Sequence, residues 1–408
     1  MSKRIIIIGG GASGLTAAIA AARQGNDVTI LEHMDRVGKK LLSTGNGRCN
    51  MTNLTVRPDC YRSSQQQFPM KVLNRYSVWD TLAFFEEIGI ITKSKGGYIY
   101  PNSEQASAVL DMLRLEAAEL GVVIHCGCQV RQIKKDGKKG FCTETDQGFF
   151  RSDTLILATG SKAAPATGSD GSGYELAKHL GHSIIKPLPA LVQLRCAGGD
   201  YRQLAGVRCE AALKLLTDGS VRASEEGELQ ITDYGISGIP VFQISRFAAV
   251  ALAEKCRVTV LIDFLPSKKI DDTRRFLTAR KTRMAGRDGS DFLTGVLNKK
   301  LAHVLLKRAG IGLNHKTGEL KPEQLERLLG QLKSFEAVVT ATNSFEQAQV
   351  CCGGVNTREI RPDTLESKLM SGLYLIGELL DVDGICGGYN LQWAWSSGMI
   401  AGSCAGRV

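Results

Sequence analysis

The chain begins with an apolar run, a glycine-rich turn and a stretch of small residues. Residues 5–8 are four isoleucines, and glycines follow at positions 9, 11 and 14. Gly9 is expected to let the chain turn out of a strand, Gly11 to admit a pyrophosphate against the backbone, and Gly14 to let helix and strand pack closely. The N-terminus of the following helix would present N–H groups and a partial positive charge to the phosphates. This order of elements predicts a dinucleotide site.

A second apolar run, over residues 28–31, ends at Glu32. This acid lies about twenty residues after the glycines, where a carboxylate accepts hydrogen bonds from the ribose hydroxyls of an adenosine. An acid at this position disfavours the 2′-phosphate of NADP. The opening segment therefore predicts FAD or NAD.

The C-terminal sequence predicts a second half of the same site. An apolar run over residues 372–376 leads into acids and then into a glycine-led stretch of small residues. An acid after a strand can accept hydrogen bonds from ribityl hydroxyls, and a helix N-terminus favours negative charge on a reduced flavin. An NAD dehydrogenase needs no such second element. Together with Ala158–Gly160, the C-terminal pattern therefore predicts FAD rather than NAD. The residues of this pattern are Gly377, Glu378, Asp381, Asp383, Gly387 and Gly388.

Composition is that of a soluble globular protein, with 43% apolar and 23% charged residues. No apolar run reaches about twenty residues, so no membrane span is expected, and without a leader segment we expect a cytoplasmic location. The 12 cysteines form no CxxC pair. They are interpreted as small buried residues in a reducing compartment, and no metal site is expected.

The formal net charge of +10 is unevenly distributed. Residues 266–333 hold sixteen Lys and Arg against seven Asp and Glu, an excess of nine positive charges in one sixth of the chain. Such a segment is either a solvated helical face or a surface that attracts RNA or an anionic small substrate.

Changes in composition near residue 190 and residue 350 predict a split domain with insertions. We predict an FAD-binding domain over 1–190 and 350–408, a β-rich insertion over 191–265 and 334–349, and a basic helical insertion over 266–333. Several short strands are expected in the β-rich insertion, with turns at 198–199, 218–219 and 226–227.

Five segments beyond the opening turn are distinctive: Lys39–Asn53, Tyr100–Ser107, Asp233–Pro240, Gly353–Val355 and Glu366–Gly402. With them, the whole chain resembles the BaiN/RdsA family of NAD(P)/FAD-dependent oxidoreductases, the aminoacetone-oxidase-like or YhiN-like flavoproteins. The resemblance implies an α/β fold: a glutathione-reductase-like Rossmann FAD domain with a three-layer ββα arrangement, and inserted β-barrel-like and helical domains.

The resemblance also implies which residues hold FAD, without a covalent bond. The opening unit would bind pyrophosphate and ribose, the segment after residue 39 would wrap the flavin side, and the C-terminal pattern would close the flavin end. The complete set is Gly9, Gly11, Ala12, Ser13, Gly14, Glu32, Lys40, Thr44, Gly45, Arg48, Cys49, Asn50, Val130, Ala158, Thr159, Gly160, Gly377, Glu378, Asp383, Gly388, Asn390 and Leu391.

The sequence departs from the family pattern at two places. Members often carry Thr-His where this chain has Asp233-Tyr234, and Val-Thr-x-Gly-Gly-Val where it has two cysteines, at 351 and 352. The catalytic group is therefore not assigned by the resemblance. Candidate proton donors are Tyr234, Tyr389 and Cys386, and each has a structural role as its alternative.

Three substrate classes are implied by the resemblance. The first is a conjugated C=C bond of a 3-oxo bile-acid or steroid-like enone, the second is uracil reduced to dihydrouridine in 23S ribosomal RNA, and the third is a small amine of the aminoacetone type, oxidised by oxygen. The many thiols favour a reductase. A small hydrophobic or anionic substrate is expected, with RNA binding through 266–333 as the alternative. No second GxGxxG marks a nicotinamide domain, so NAD(P)H would bind transiently as electron donor. The oligomeric state is left open.

Overall fold

The computed structural model describes residues 2–137 and 140–407, so the ends of the predicted FAD-binding domain, Met1 and Val408, lie outside the described residues. No helix in these ranges is long and apolar enough to cross a membrane. The α-helices are α1 Ala12–Ala22, α2 Lys39–Ser43, α3 Phe68–Leu73, α4 Val78–Glu87, α5 Ala106–Glu119, α6 Ser172–His179, α7 Tyr201–Leu204, α8 Ile239–Ala253, α9 Ile270–Arg283, α10 Lys299–Arg308, α11 Pro322–Lys333 and α12 Tyr389–Ala405.

The strands are numbered in the same way along the chain. They are β1 Arg4–Ile8, β2 Asp27–Leu31, β3 Thr52–Asn53, β4 Tyr61–Arg62, β5 Thr92–Lys95, β6 Tyr98–Pro101, β7 Val123–His125, β8 Val130–Lys135, β9 Phe141–Thr145, β10 Gly148–Ser152, β11 Thr154–Leu157, β12 Ile184–Ala190, β13 Leu194–Cys196, β14 Arg208–Thr217, β15 Ser220–Ile231, β16 Gly235–Ser237, β17 Val258–Asp263, β18 Phe335–Thr342, β19 Val350–Val355, β20 Leu373–Leu375 and β21 Asp383–Gly384.

Residue contacts divide the chain into two compact units. The first unit runs to Leu188 and resumes at Ala348, and the second unit is Pro189–Gln347. The predicted β-rich and helical insertions both fall in the second unit, and their separation into two domains stays a prediction.

The first unit is built on a parallel five-stranded sheet in the order β20-β11-β1-β2-β7. Residues 5–8 of β1 are buried because the strand is central and covered on both faces, which explains its continuous apolar run. A separate antiparallel sheet is formed by β8, β9 and β10. The predicted Rossmann α/β class is confirmed. Since parallel strands point the same way, the carboxyl ends of β1, β2, β11 and β20 meet at one edge.

Helices α1 and α12 approach each other closely through small residues. A Cβ added at Gly402 would lie 2.2 Å from the carbonyl oxygen of Ala17, and one at Gly398 would lie 2.2 Å from Thr16 Oγ1 and 2.5 Å from the carbonyl oxygen of Ser13. Glycine is required at both positions because the neighbouring atoms are largely backbone and cannot move aside. The C-terminal helix is thereby held against the first helix of the Rossmann unit.

The second unit contains a closed barrel in the order β13-β16-β15-β14-β17-β18. The buried side chains of the barrel share one hydrophobic core with helices α9, α10 and α11, through residues such as Leu277, Leu305 and Leu328. The inserted barrel-like fold is thereby confirmed.

The predicted turn at 226–227 is wrong, because β15 continues through it. Gly227 is paired with Ala211, and the ladder between β14 and β15 extends from Arg208 to Thr217. The hydrogen bonds of this long ladder hold the backbone extended and override the turn preference of a glycine.

Buried His182 connects the start of β12 to the loop before β20. Its Nδ1 lies 2.9 Å from Glu359 Oε2, its Nε2 lies 2.9 Å from Ser367 Oγ, and the ring is fully buried. Burial lowers the pKa of His182, and the hydrogen bond and charge of Glu359 oppose this only in part. Burial alone would raise the pKa of Glu359, but hydrogen bonds from Ser183 and His182 bring it below its usual value. The neutral ring therefore donates to Glu359 and accepts from Ser367.

Replacing Gly402 by Ala tests the close approach of α1 and α12. We expect the free energy of unfolding to fall by about 1–3 kcal/mol, because the new methyl group overlaps the backbone of α1. Gly330→Ala is the matched control, since this exposed glycine of α11 has no atom within 4 Å of the added Cβ. It should leave stability unchanged or raise it by up to about 1 kcal/mol. Denaturant unfolding followed by circular dichroism measures both, and equal effects would contradict the interpretation.

Titration of stability against pH tests the buried histidine. The native pKa of His182 lies below its ordinary value of 6.5, so the unfolded chain binds more protons and stability should fall as pH drops below that value. The lowered pKa of Glu359 adds a further loss of stability below its ordinary value of 4.5. His182→Gln should flatten the change between pH 7 and about pH 5, whereas His179→Gln on the surface of α6 should keep the wild-type slope. A wild-type slope in His182→Gln would refute this account.

Candidate functional site

Glu32 is held rigidly at the carboxyl end of β2. It is 9% exposed, its Oε2 accepts from the backbone N–H of Gly10 at 2.8 Å, and its Oε1 accepts from that of Met34 at 2.8 Å. Each carboxylate oxygen keeps a further lone pair. The side chain can therefore accept additional hydrogen bonds from a diol, as expected of a residue that binds ribose.

The three glycines of the opening turn have different surroundings. A Cβ at Gly9 would lie 2.5 Å from the carbonyl oxygen of Ala158, and one at Gly14 would lie 1.9 Å from that of Gly9. These two glycines are required by chain packing. A Cβ at Gly11 would meet nothing within 4 Å, and Gly11 is the N-cap of α1. Open space over the first turn of an eleven-residue helix fits a pyrophosphate.

The C-terminal pattern lies directly against this turn. A Cβ at Gly377, whose φ is +66°, would lie 2.5 Å from Ser13 Oγ. The backbone of Gly377 is fixed by α12, since its N–H donates to Ser397 Oγ at 3.0 Å and its carbonyl accepts from Trp393 Nε1 at 2.9 Å. The structure thus brings together the two halves of the predicted site.

An ion pair connects three segments at the same edge of the sheet. Lys40 Nζ lies 2.6 Å from Glu378 Oε2, and Ser161 Oγ donates to the same oxygen at 3.0 Å. Both charged side chains are mostly buried. Lys40 and Glu378 were predicted, but Ser161 was not, because a lone serine after Ala158–Gly160 carries no sequence signal.

The N-terminus of α12 is packed against the segment around β3. Gly388 has φ +91°, and a Cβ there would lie 2.6 Å from the carbonyl oxygen of Thr52. The side-chain amide of Asn50 lies 3.3 Å from the backbone nitrogen of Gly388, so the amide oxygen can accept a hydrogen bond from that N–H. Asn390 Oδ1 accepts from the N–H of Gly384 at 2.8 Å. The structure therefore gathers Asn50, Gly388 and Asn390 at the start of a seventeen-residue helix.

Buried acids follow β20, as the sequence suggested. Asp381 and Asp383 are 2% and 3% exposed, and Asp381 Oδ2 accepts from the N–H of Ser64 at 2.8 Å. Asp381 therefore orders the segment after β4. Asp383 lies in the short strand β21, beside the start of α12.

Several of the residues predicted to bind FAD have side chains that are buried or already hydrogen-bonded within the protein. Cys49 is fully buried, and burial raises the pKa of its thiol to about 12. Cys49 and Val130, which begins β8, belong to the hydrophobic core of the first unit. Leu391 packs against this core. Thr44 Oγ1 donates to the carbonyl of Leu41 at 2.6 Å. Only the backbone of Cys49 is left to face a ligand, whereas Gly45 and Arg48 are exposed.

Four buried hydroxyl groups of the first unit have no hydrogen-bond partner among the described residues, those of Thr143, Ser152, Thr159 and Tyr174. Thr159 Oγ1 follows β11 at the edge where the predicted residues gather, and Tyr174 Oη lies on α6. Buried polar atoms without a partner are costly. Thr159 Oγ1 faces α6, since a Cβ at Gly173 would lie 1.8 Å from it, so the fit to a dinucleotide rests on the open space at Gly11.

The candidate proton donors have different surroundings. Tyr389 Oη donates to the carbonyl of Thr55 at 2.9 Å, and burial raises its pKa. The Tyr389 hydroxyl is thus engaged in fixing the chain. Cys386 is half-buried and is engaged in a contact of its own. Tyr234 belongs to the second unit, where its hydroxyl accepts from Asn343 Nδ2 at 3.0 Å.

Comparison with known proteins gives relatives along almost the whole chain. Residues 3–404 match the family model described as HI0933-like protein Rossmann domain. A 3-dehydro-bile acid Δ(4,6)-reductase of Clostridium scindens is 48% identical over 405 residues, which are 99% of each chain. A ribosomal RNA dihydrouridine synthase of Haemophilus influenzae is 32% identical, over 96% of each chain. Another, from Escherichia coli, is 29% identical, over 98% of this chain and 96% of that one.

The open space at Gly11 can be tested by placing a charge in it. Gly11→Asp should fold normally, because Asp is a favoured N-cap residue and nothing lies within 4 Å of the added Cβ. Its carboxylate should repel the pyrophosphate and weaken FAD binding by at least about 100-fold. The visible flavin absorbance of the purified protein and an FAD titration of the apoprotein measure this.

Gly199→Asp controls for the added charge, since Gly199 is exposed and has equally open surroundings. It should retain the flavin. Normal FAD affinity in Gly11→Asp would contradict the assignment of this turn to the phosphates.

Proposed function

The chain belongs to the HI0933-like Rossmann family, as its motifs indicated, and we propose that it is an FAD-dependent reductase of a conjugated carbon–carbon double bond in a small enone. The observation that carries this proposal is the 48% identity, along 99% of both chains, to a relative named for the reduction of a 3-dehydro-bile acid. The substrate class we infer is a 3-oxo steroid-like molecule whose double bond is conjugated to the ketone.

The residues at the sheet edge are proposed to bind the two ends of FAD. Glu32 would accept from the adenosine ribose, and the first turn of α1 at Gly11 would face the pyrophosphate. The N-terminus of α12 at Gly388 would face the flavin end. When bound, FAD supplies the hydride chemistry that no side chain can perform.

Charge at the flavin end has two sources in the protein. The N-terminus of α12 carries the positive end of a helix dipole and therefore favours negative charge beside it. Lys40 places a cation at the same edge, and Glu378 and Ser161 hold it in position. The ion pair carries no net charge, so it would orient the cofactor, and the helix N-terminus would be the group that favours its electron-rich form. NAD(P)H is proposed as the electron donor, binding transiently.

RNA is the alternative substrate, because relatives at 32% and 29% identity are named ribosomal RNA dihydrouridine synthases. Part of the basic segment is held by contacts within the second unit. Arg274 pairs with Glu326 at 2.9 Å and with Asp271 at 2.6 Å, and Arg275 pairs with Asp272.

Arg280 has a structural role as well. Its Nη2 donates to the carbonyl of Thr294 at 2.6 Å, and its Nε donates to that of Phe292. Three arginines of the basic segment are thus engaged inside the second unit. The small enone is preferred because the relative named for a bile-acid reduction is 48% identical, against 32% and 29% for the two relatives named dihydrouridine synthases.

Anaerobic reoxidation of the flavin tests the proposed reaction. The holoenzyme is photoreduced without oxygen and mixed with a 3-oxo-4,6-diene steroid. We expect the visible flavin absorbance to return, with one double bond reduced for each flavin, because two electrons and two protons saturate one double bond. The saturated 3-oxo steroid is the matched control and should leave the flavin reduced.

A ribosomal RNA transcript forms the second arm of this experiment. Reoxidation by the transcript but by no enone would overturn the enone proposal in favour of RNA. Failure of every enone and of the transcript would overturn both reductase assignments.

A further inference from the structure

A two-residue turn fixes how β5 and β6 of the first unit pair with each other. Residues 96–97 are glycines with φ of +60° and +89°, and positive values at both central residues are those of a type I′ hairpin turn. The turn sets the register, so Lys95 is paired with Tyr98. Two residues farther along, Lys93 is paired with Tyr100. Directly paired residues project from the same face of a sheet, with Cβ atoms about 5 Å apart. We call these two lysines and two tyrosines the tyrosine face.

Both tyrosines of this face lie against segments that are predicted to hold FAD. A Cβ added at Gly387 would lie 2.6 Å from Tyr98 Cε1. One added at Gly45 would lie 3.8 Å from Tyr100 Cε1. The carbonyl of Gly387 also accepts from Asn53 Nδ2 at 3.2 Å, and Asn53 is paired with Tyr98 in the same sheet. Since Gly387 lies two residues before α12, the tyrosine face adjoins the proposed flavin end of the site.

Tyr98 presents an aromatic ring to solvent at this position. It is 42% exposed, although one edge of its ring touches Gly387. Ile99, the next residue, is only 4% exposed, because alternate residues of a strand point to opposite faces of the sheet. A tyrosine that is held at one edge and partly open on the rest of its surface can pack against a ligand with little loss of side-chain entropy.

Positive charge is in excess beside the tyrosines. Lys93 Nζ lies 2.7 Å from Glu104 Oε1. The hydrogen bond and charge of Lys93 lower the pKa of Glu104, and the charges of Arg48 and Lys95 add to this effect. The Lys95 side chain is exposed, and no ion pair found among residues 2–137 and 140–407 includes it. One acid therefore stands among three cations, and the ammonium next to the Tyr98 ring is left for a ligand.

We propose that the tyrosine face binds the part of the substrate remote from its reacting double bond, and that this substrate is a steroid with a carboxylate on its side chain; this rests on the proposed function. Tyr98 packs against the apolar ring system, and the ammonium of Lys95 pairs with the carboxylate. One exposed ring beside one available ammonium matches a ligand with an apolar body and a single negative charge. RNA binding draws on many phosphate contacts, whereas a steroid acid needs only one such contact.

These two contacts determine specificity rather than chemistry. They lie away from the reacting bond, so the bound substrate and the transition state gain from them equally. Loss of either contact should therefore raise KM and leave kcat nearly unchanged. The contribution of Lys95 should also fall as ionic strength rises, because salt screens an exposed ammonium.

Equilibrium dialysis against the oxidised holoenzyme tests the proposal, since oxidised flavin binds the substrate without reducing it. The probes are a 3-oxo-4-ene steroid with a side-chain carboxylate and its methyl ester, which has the same rings and no charge. We expect the wild type to bind the acid more tightly than the ester at low salt. Lys95→Gln should weaken binding of the acid by about 3–5-fold and leave the ester unchanged. Lys95→Glu should weaken binding of the acid by about 10-fold.

Tyr98 is tested by two substitutions. Tyr98→Ala removes the apolar contact and should weaken binding of both probes by about 10-fold, whereas Tyr98→Phe keeps the ring and should bind both like the wild type. Lys134→Gln is the matched control, because Lys134 is an exposed lysine of β8 in a separate sheet, and both dissociation constants should stay unchanged. Circular dichroism and flavin content verify that each variant folds and holds FAD. If Tyr98→Ala loses flavin, the Lys95 variants and the two probes decide the proposal by themselves.

The outcomes separate this proposal from the proposed function. A wild type that reduces enones, with Lys95→Gln affecting acid and ester equally or affecting neither, would overturn the proposal alone. A raised KM for NAD(P)H with an unchanged KM for the steroid acid would assign the face to the electron donor and would also overturn it. The same holds if Lys95→Glu abolishes reoxidation by the ribosomal RNA transcript and leaves both steroids unaffected. A wild type that binds neither probe and is reoxidised by no enone would overturn the proposed function, and the steroid-acid assignment with it.

Discussion

The close approach of α1 and α12 is the contact on which the candidate cofactor site depends. Gly398 and Gly402 let the two helices meet backbone to backbone. The same contact brings Gly377 against Ser13 at the first turn of α1. Strand ends that are far apart in sequence therefore become one edge, with a helix N-terminus on each side. Without this contact the turn proposed to bind phosphate would lack the half of the site proposed to bind the flavin.

Glycines serve opposite purposes in this protein. At Gly14 and Gly402 backbone atoms of the same chain occupy the space that a side chain would need, so these glycines are required for packing. At Gly11 the space is empty and available to a ligand. Gly235 does for the barrel what Gly402 does for the helices, since it allows a strand to approach closely and carries Tyr234 to Arg195. The spacing of glycines does not distinguish these uses, whereas the surrounding atoms do.

Charge likewise acquires meaning only from its partners. The excess of basic residues over 266–333 suggested an anion-binding surface, yet Arg274 and Arg275 pair with acids and Arg280 caps backbone carbonyls. Arg195 lies outside that segment. It has no ion-pair partner among the described residues, but it stacks on a tyrosine ring and is oriented by Asn343.

The sequence alone determined the Rossmann class and the family, because strand periodicity, glycine spacing and the C-terminal pattern are local signals, and the family resemblance implied the inserted barrel. It also placed Glu32 and Glu378 correctly just after strands, whereas Lys40, expected in a loop, lies in helix α2. Only the tertiary structure decided that Ser161 joins the ion pair and that the Tyr234 hydroxyl accepts from Asn343. These properties depend on which segments distant in sequence meet, and on which atom of an amide faces a guanidinium, and neither is encoded in residue spacing.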